Sequence, residues 1–287
     1  MRRDVDEGDL DGSPSSAFGH TCDDDAVQQL CDDFAAEADD LDGIVASPDV
    51  DWSTSTPAPG WSVADQISHL WFFDQRAAMA LADPDAFRAD AEALMAAMVE
   101  AGGTDMSAEA GRSMTSASLL DAWRLDRTRL IELARDVDPS TRVPWYGPAM
   151  GARSFVTARV METWAHGQDI ADALAVTRRP TDRLRHVAHI GVGARAFSYA
   201  VHERPMPDAA IRVELAGPSG DVWTWGPEDA VDRVSGEALE FCLAVTQRRH
   251  LDDMSLAVTG VAATEWMSVA QSFAGPPGPG RAPGQFA

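Results

Sequence analysis

RVMETWAHGQDI, residues 159–170, is the stretch that decides the fold. Glu162 and His166 stand four residues apart, so on a helix they lie one turn from each other on one face. Arg159 precedes the glutamate by three and Asp169 follows the histidine by three, which brings both towards the same face. A carboxylate oxygen and an imidazole nitrogen at this spacing can each give one ligand atom to the same cation. The pair alone is weak evidence. With seven histidines and acids at about one position in six, about one acid-x3-His pair arises by chance. Taken by itself it reads as ordinary helix charge pairing.

A metal site inside a helical bundle needs a further ligand from a facing helix. DQISHLWFFD, residues 65–74, supplies one: His69 sits mid-helix in an apolar context. Metal-bound histidines usually pass their other ring N–H to a carboxylate or carbonyl. Asp65, four before His69, and Asp169, three after His166, are the carboxylates at helical spacing for that task, and Arg159 shares the second helix's face.

The chain around these helices reads as mainly α. Residues 24–46 space Val27, Leu30, Phe34, Leu41 and Ile44 as a helix does. Ser62 with Asp65 three residues on resembles a capping box opening the next helix. Further helices are predicted over 84–101, 115–136, about 152–174 and 181–203. After Pro205 and Pro207 the pattern changes. IRVELAG alternates as a strand, Gly-Pro-Ser-Gly turns, and DVWTWG returns as a hairpin. SGEALEFCLAVTQRR reads as a helix capped by Ser235, MSLAVTG as a third strand, and VAATEWMSVAQSFA as a last helix. The expected organisation is a disordered acidic leader over 1–22, a helical bundle over 23–204, a small α+β domain over 205–274 and a Pro/Gly-rich tail over 275–287.

Composition narrows the function. The formal net charge is −23, which argues against nucleic acid and against anionic membrane surfaces. No apolar run approaches a membrane span. All 23 basic residues are arginine and aspartate far outnumbers glutamate, a pattern that fits a GC-rich genome or a surface adapted to high salt. Three cysteines without CxxC spacing, and no apolar segment at the N-terminus, point to a reducing cytoplasm. A homodimer is the commonest assembly for such a chain.

Here a family resemblance enters. GWSVADQISHLWFFD resembles the first ligand helix of the mycothiol-dependent maleylpyruvate isomerase family, within the broader DinB-like superfamily. ARVMETWAHGQDIADAL resembles its second, in the order Arg-x2-Glu-x3-His-x2-Asp. The resemblance implies a DinB-like four-helix bundle followed by a small sterol-carrier-like α+β domain. It implies that His69, Glu162 and His166 bind one divalent metal, and that the metal works with a low-molecular-weight thiol. More closely the chain looks like a metal-binding subgroup of this family and not the isomerase itself.

An N2O donor set points to zinc, although nickel, iron and manganese also suit it. Three protein ligands leave positions for water or substrate, and a coordinated thiol is deprotonated. Cys31 and Cys242 lie in apolar helical patterns and read as buried thiols, and Cys22 falls in the leader, so none of the chain's own cysteines suits the nucleophile's role; that the thiol is a separate small molecule is what the resemblance implies. Arg248 and Arg249 are candidate anchors for a dicarboxylate, against the plainer reading of two solvated arginines at a helix end. Trp61, Trp71, Trp145 and Tyr146 are candidate pocket walls, the PWYGP loop in particular. The leading reading is a metal-dependent enzyme that activates a small thiol for isomerisation or transfer to a small-molecule substrate. The alternatives are a non-catalytic metal- or ligand-binding protein, and a bundle whose His and Glu positions are incidental.

Overall fold

The computed structural model describes residues 17–100 and 106–286, with residues 17–25 as backbone alone. Four long helices make the bundle. The first, α1, is Ala17–Val45, and the second, α2, is Val63–Ala82. The capping box is present: Ser62 Oγ accepts from Asp65 N–H and the Asp65 carboxylate accepts from the Ser62 backbone N–H. Pro84 begins α3, Pro84–Glu100, where its missing N–H costs nothing, and Asp83 Oδ1 accepts from Ala86 N–H at 3.0 Å. A short α4, Met106–Ala110, precedes α5, Ser116–Asp136, capped by Thr115. Strands β1 (Arg142–Val143) and β2 (Met150–Gly151) pair around the PWYGP loop and lead into α6, Ala152–Ala173.

Each of α1 and α2 packs against both α5 and α6, which closes the four-helix bundle, with α3 and α4 laid on α2. Its interior holds two apolar clusters. One gathers Phe34, Phe87, Leu130 and Phe155, the other Leu41, Ile67, Leu70 and Trp123. Helix α6 is buried on nearly every side, because it serves two cores. Its Met161, Trp164 and Ala165 face α7 (Leu184–Gly193) and the small domain.

Helix α8 (Arg195–Val201) precedes a sheet of β3 (Ile211–Ala216), β4 (Val222–Trp225), β5 (Asp232–Glu237) and β6 (Ala257–Thr259) in the order β4-β3-β5-β6. β3 and β5 are parallel and the other pairs antiparallel. Helix α9, Ala238–Val245, packs on α7, and α10, Val261–Val269, closes the unit. Gly191 lets α7 approach α9: a Cβ there would stand 2.6 Å from Val245 Cγ2.

The structure corrects several expectations. The bundle's first helix already includes residues 17–22, placed in the leader by sequence; the rest of that leader lies outside the described residues. The single helix expected over 181–203 is two, broken at Ala194, and Arg195 turns to donate to the carbonyls of Ala209 and Pro207. Ser235 does not cap a helix. It lies within β5, paired with Glu214 on one side and Ala257 on the other. Ladders on both sides override the local helical pattern there, and the helix starts at Ala238. The tail has no helix or strand, as its prolines require, yet it packs on the domain. Arg281 Nη2 reaches Asp169 Oδ1 at 2.5 Å, and the Phe286 ring lies 4.1 Å from the Arg249 guanidinium carbon.

Candidate metal centre

Residues 66, 69 and 73 follow one another at helical spacing along α2, so Gln66, His69 and Phe73 share a face turned towards α6. From α6, Arg159, Glu162, His166 and Asp169 look back at the same three- and four-residue spacing. The result is a convergence of three side chains. One ligand atom each from His69, Glu162 and His166 lies within 4.8 Å of the others. His166 Nε2 is 3.3 Å from Glu162 Oε2, and the two imidazole centroids are 4.4 Å apart. His166 is buried; His69 and Glu162 keep an exposed edge.

The surroundings hold this triad from several sides. Trp61 stacks over His166 at 5.9 Å and 16° and stands 5.1 Å from His69. Phe73 meets His69 edge-on at 4.7 Å. His69 Nδ1 lies 2.6 Å from Ser107 Oγ on α4, and His166 Nδ1 lies 2.5 Å from Gln66 Oε1. Gly111 permits the close seat of the α4 turn. Its N–H donates to Ser68 Oγ at 2.8 Å, and a Cβ there would stand 2.9 Å from the same oxygen.

Local electrostatics set the protonation of the triad. Burial, the neighbouring His166, and the Arg159 and Arg248 guanidiniums all push His69 well below the ordinary imidazole value. Burial pushes the Glu162 carboxyl up, but the adjoining His166, Arg159 and Arg248 outweigh it and leave that carboxyl low. A neutral imidazole and an ionised carboxylate are the forms that bind metal.

The neighbours named from sequence take other roles. Asp65 does not reach His69; its oxygens accept from Ser62 and from Arg112 Nε, the latter at 3.0 Å. Asp169 does not hold His166 either. It is buried between Arg248 Nη2 at 3.0 Å and Arg281. Arg159 is buried against Asp74 Oδ1 at 2.8 Å, whose other oxygen accepts from Trp123 Nε1. Arg248 also donates to the carbonyls of Ala165 and Thr246, and Arg249 forks onto Asp172 with two contacts of 2.7 Å. Both arginines thus fasten the small domain to α6. Trp145 stacks on Phe87 at 5.4 Å and meets Tyr146 and Phe155, and both loop aromatics contact Phe73, the ring that meets His69. Trp71 donates to Asp126 on the α5 side.

The sequence reading missed Gln66 and Ser107. Gln66 was visible in principle, three before His69 on the same helical face. Ser107 sits in a five-residue helix with no periodic signal.

Residues 34–171 match the family described as mycothiol maleylpyruvate isomerase N-terminal domain. Two uncharacterized proteins of Mycobacterium tuberculosis, MT0041 and Rv0036c, are each 47% identical over 220 residues, covering 76% of this chain and 84% of theirs. The chain belongs to the maleylpyruvate isomerase-like family. Among solved structures, the mycothiol-dependent maleylpyruvate isomerase superposes with a TM-score of 0.53 at 14% identity, over 81% of this chain and 92% of that one. A histidine-to-alanine variant of it gives 0.50 at 14% identity, over 77% and 89%. At this identity the likeness is one of fold: a DinB-like bundle followed by a small α+β domain. Residues 207–259, which hold the four-stranded sheet, also match a family described as wyosine base formation. No helix among the described residues is long and apolar enough to cross a membrane.

Proposed function

We propose that this family member is a divalent-metal enzyme that activates a low-molecular-weight thiol, using His69, Glu162 and His166 as its metal ligands. The observation that carries the reading is the convergence of three ligand atoms from two facing helices within 4.8 Å. The donor set fits such an ion: two imidazoles and one carboxylate are an N2O set, for which zinc is the first candidate. Three protein ligands leave coordination positions for a further group, the arrangement of catalytic sites. A bound divalent cation would supply Lewis acidity and hold a coordinating thiol as its thiolate near neutral pH.

The chain's own residues do the rest. Trp61 and Phe73 cover the imidazoles and keep water from their faces. Arg159 and Arg248 place positive charge near the triad, favouring an anionic thiolate or carboxylate beside it. The protein's described thiols are poor candidates for the nucleophile. Cys31 and Cys242 are fully buried; burial pushes the first up to about 11 and raises the second further. On this reading the thiol comes from solution, in a reducing, cytoplasmic setting. The reaction class is addition of that thiol to an electrophilic double bond, followed by rotation and release for isomerisation, or by retention of the adduct for transfer. The activity of the structurally similar isomerase makes maleylpyruvate the first substrate to try.

The experiment is turnover of maleylpyruvate and of simple electrophiles by the zinc-loaded protein, with and without added mycothiol or another small thiol. Thiol-dependent turnover that disappears on chelation and returns with zinc is expected. Metal binding without any thiol-dependent turnover would favour a non-catalytic binding protein.

A further inference from the structure

Gln66 is completely buried, and both ends of its amide are engaged. Oε1 faces His166 Nδ1 at 2.5 Å, and Nε2 donates to Thr56 Oγ1 at 2.9 Å. Thr56 Oγ1 in turn donates to the Trp61 carbonyl at 2.9 Å. These hydrogen bonds have a direction. The threonine proton is committed to a carbonyl, so its oxygen is an acceptor for the glutamine NH2. The amide oxygen must then point at the histidine, and an oxygen can only accept. Nδ1 of His166 therefore carries a proton, which leaves Nε2 as its metal-binding nitrogen, facing Glu162 and the His69 ring.

The loop that supplies Thr56 is itself pinned to α2. Thr56 N–H donates to the Trp61 carbonyl at 2.7 Å, Val63 N–H to Thr54 O at 3.0 Å, and Ala64 N–H to Trp52 O at 2.9 Å. The far end of the relay is the backbone of Trp61, whose ring covers both imidazoles. His69 Nδ1 instead meets the Ser107 hydroxyl at 2.6 Å.

We propose that Gln66, oriented by Thr56, is the positioning residue that fixes the His166 tautomer and aims its Nε2 at the centre. The consequence for metal rests on the ligand assignment above; the tautomer itself exists without metal.

Two measurements test this on the full-length protein. In the metal-free state at alkaline pH, proton–nitrogen correlation spectra of the histidine rings read which nitrogen of His166 is protonated, with His166→Gln used for assignment. Wild type and Gln66→Glu, which keeps the acceptor, should show the proton on Nδ1. Gln66→Leu and Thr56→Val should show a mixture of tautomers. In parallel, zinc affinity should fall by about ten- to a hundredfold in Gln66→Leu, fall less in Thr56→Val and survive in Gln66→Glu. Should Gln66→Leu fail to fold, the Thr56→Val and Gln66→Glu pair carries the same contrast. A wild-type His166 protonated on Nε2 alone overturns the proposal. So does a folded Gln66→Leu whose tautomer and zinc affinity match wild type. If the wild type binds no zinc while Nδ1 is protonated, the metal reading fails and the tautomer assignment stands.

Discussion

His166 Nε2 stands 3.3 Å from Glu162 Oε2, one turn earlier on the same helix, and the His69 ring on α2 closes the third side at 4.4 Å between imidazole centroids. Two groups on one helix set their own separation by the helical repeat. The third depends on the packing of α2 against α6. The site is therefore a product of the bundle, and it should respond to each ligand separately.

Removal of any one ligand should remove the metal. His69→Ala, Glu162→Ala and His166→Ala are each expected to lose the bound equivalent seen in wild type, measured as metal content after dialysis. Wild type should gain about 4 kcal/mol of stability at a free-metal concentration a thousandfold above its dissociation constant, and the variants should gain almost none. Equal metal-induced shifts in melting temperature across all four proteins would contradict the assignment.

Asp169 joins the two domains, with Arg248 on one oxygen and Arg281 of the tail on the other. Arg248→Met should cost about 3 kcal/mol in urea unfolding, the low end for breaking a buried pair, because Arg281 still serves the carboxylate. Arg281→Ala should then cost more in the Arg248→Met background than in wild type. Strict additivity would mean that the two arginines do not share Asp169 energetically.

Asp42 on α1 is clamped by Arg124, at 2.7 and 2.8 Å, and by Arg127 at 2.9 Å, both from α5. The Arg124 hydrogen bond leads the causes that hold the carboxyl below its ordinary 3.8, against the upward push of burial. A carboxyl lowered in the folded state stabilises it fully above the unfolded value and loses that contribution as pH falls through the folded one. Asp42→Asn should therefore lower the melting temperature at neutral pH and flatten the loss of stability below pH about 4. Parallel acid limbs for variant and wild type would show that the clamp carries no charge-dependent stability.

The described thiols should be inert. In a Cys22→Ser background, Cys31 and Cys242 should resist a thiol-labelling reagent in the native state and react at once in denaturant, as buried thiols raised by desolvation do. Rapid native labelling of either would revive an internal nucleophile.

Much of this was legible in the sequence because it is periodic. The Glu162–His166 spacing, the Ser62–Asp65 cap and the Phe34 and Leu130 stripes all follow from the helical repeat. The supports of the imidazoles were not legible. Asp65 and Asp169 had the right charge and spacing, but both had stronger partners, Ser62 with Arg112 and Arg248 with Arg281. Their replacements are neutral: Gln66, which reaches across to the facing helix, and Ser107, which arrives from a short helix whose position only tertiary packing decides. Ser235 was misread for a related reason, since strand pairing is a long-range property that a local helical pattern does not record.

Anomalous diffraction at the zinc edge, from crystals of the protein reconstituted with one equivalent of zinc, addresses the metal site most directly. A single peak about 2.0–2.2 Å from an imidazole nitrogen of His69, Nε2 of His166 and a carboxylate oxygen of Glu162 is the predicted result. A peak bound elsewhere, or none beside these three side chains, would contradict it.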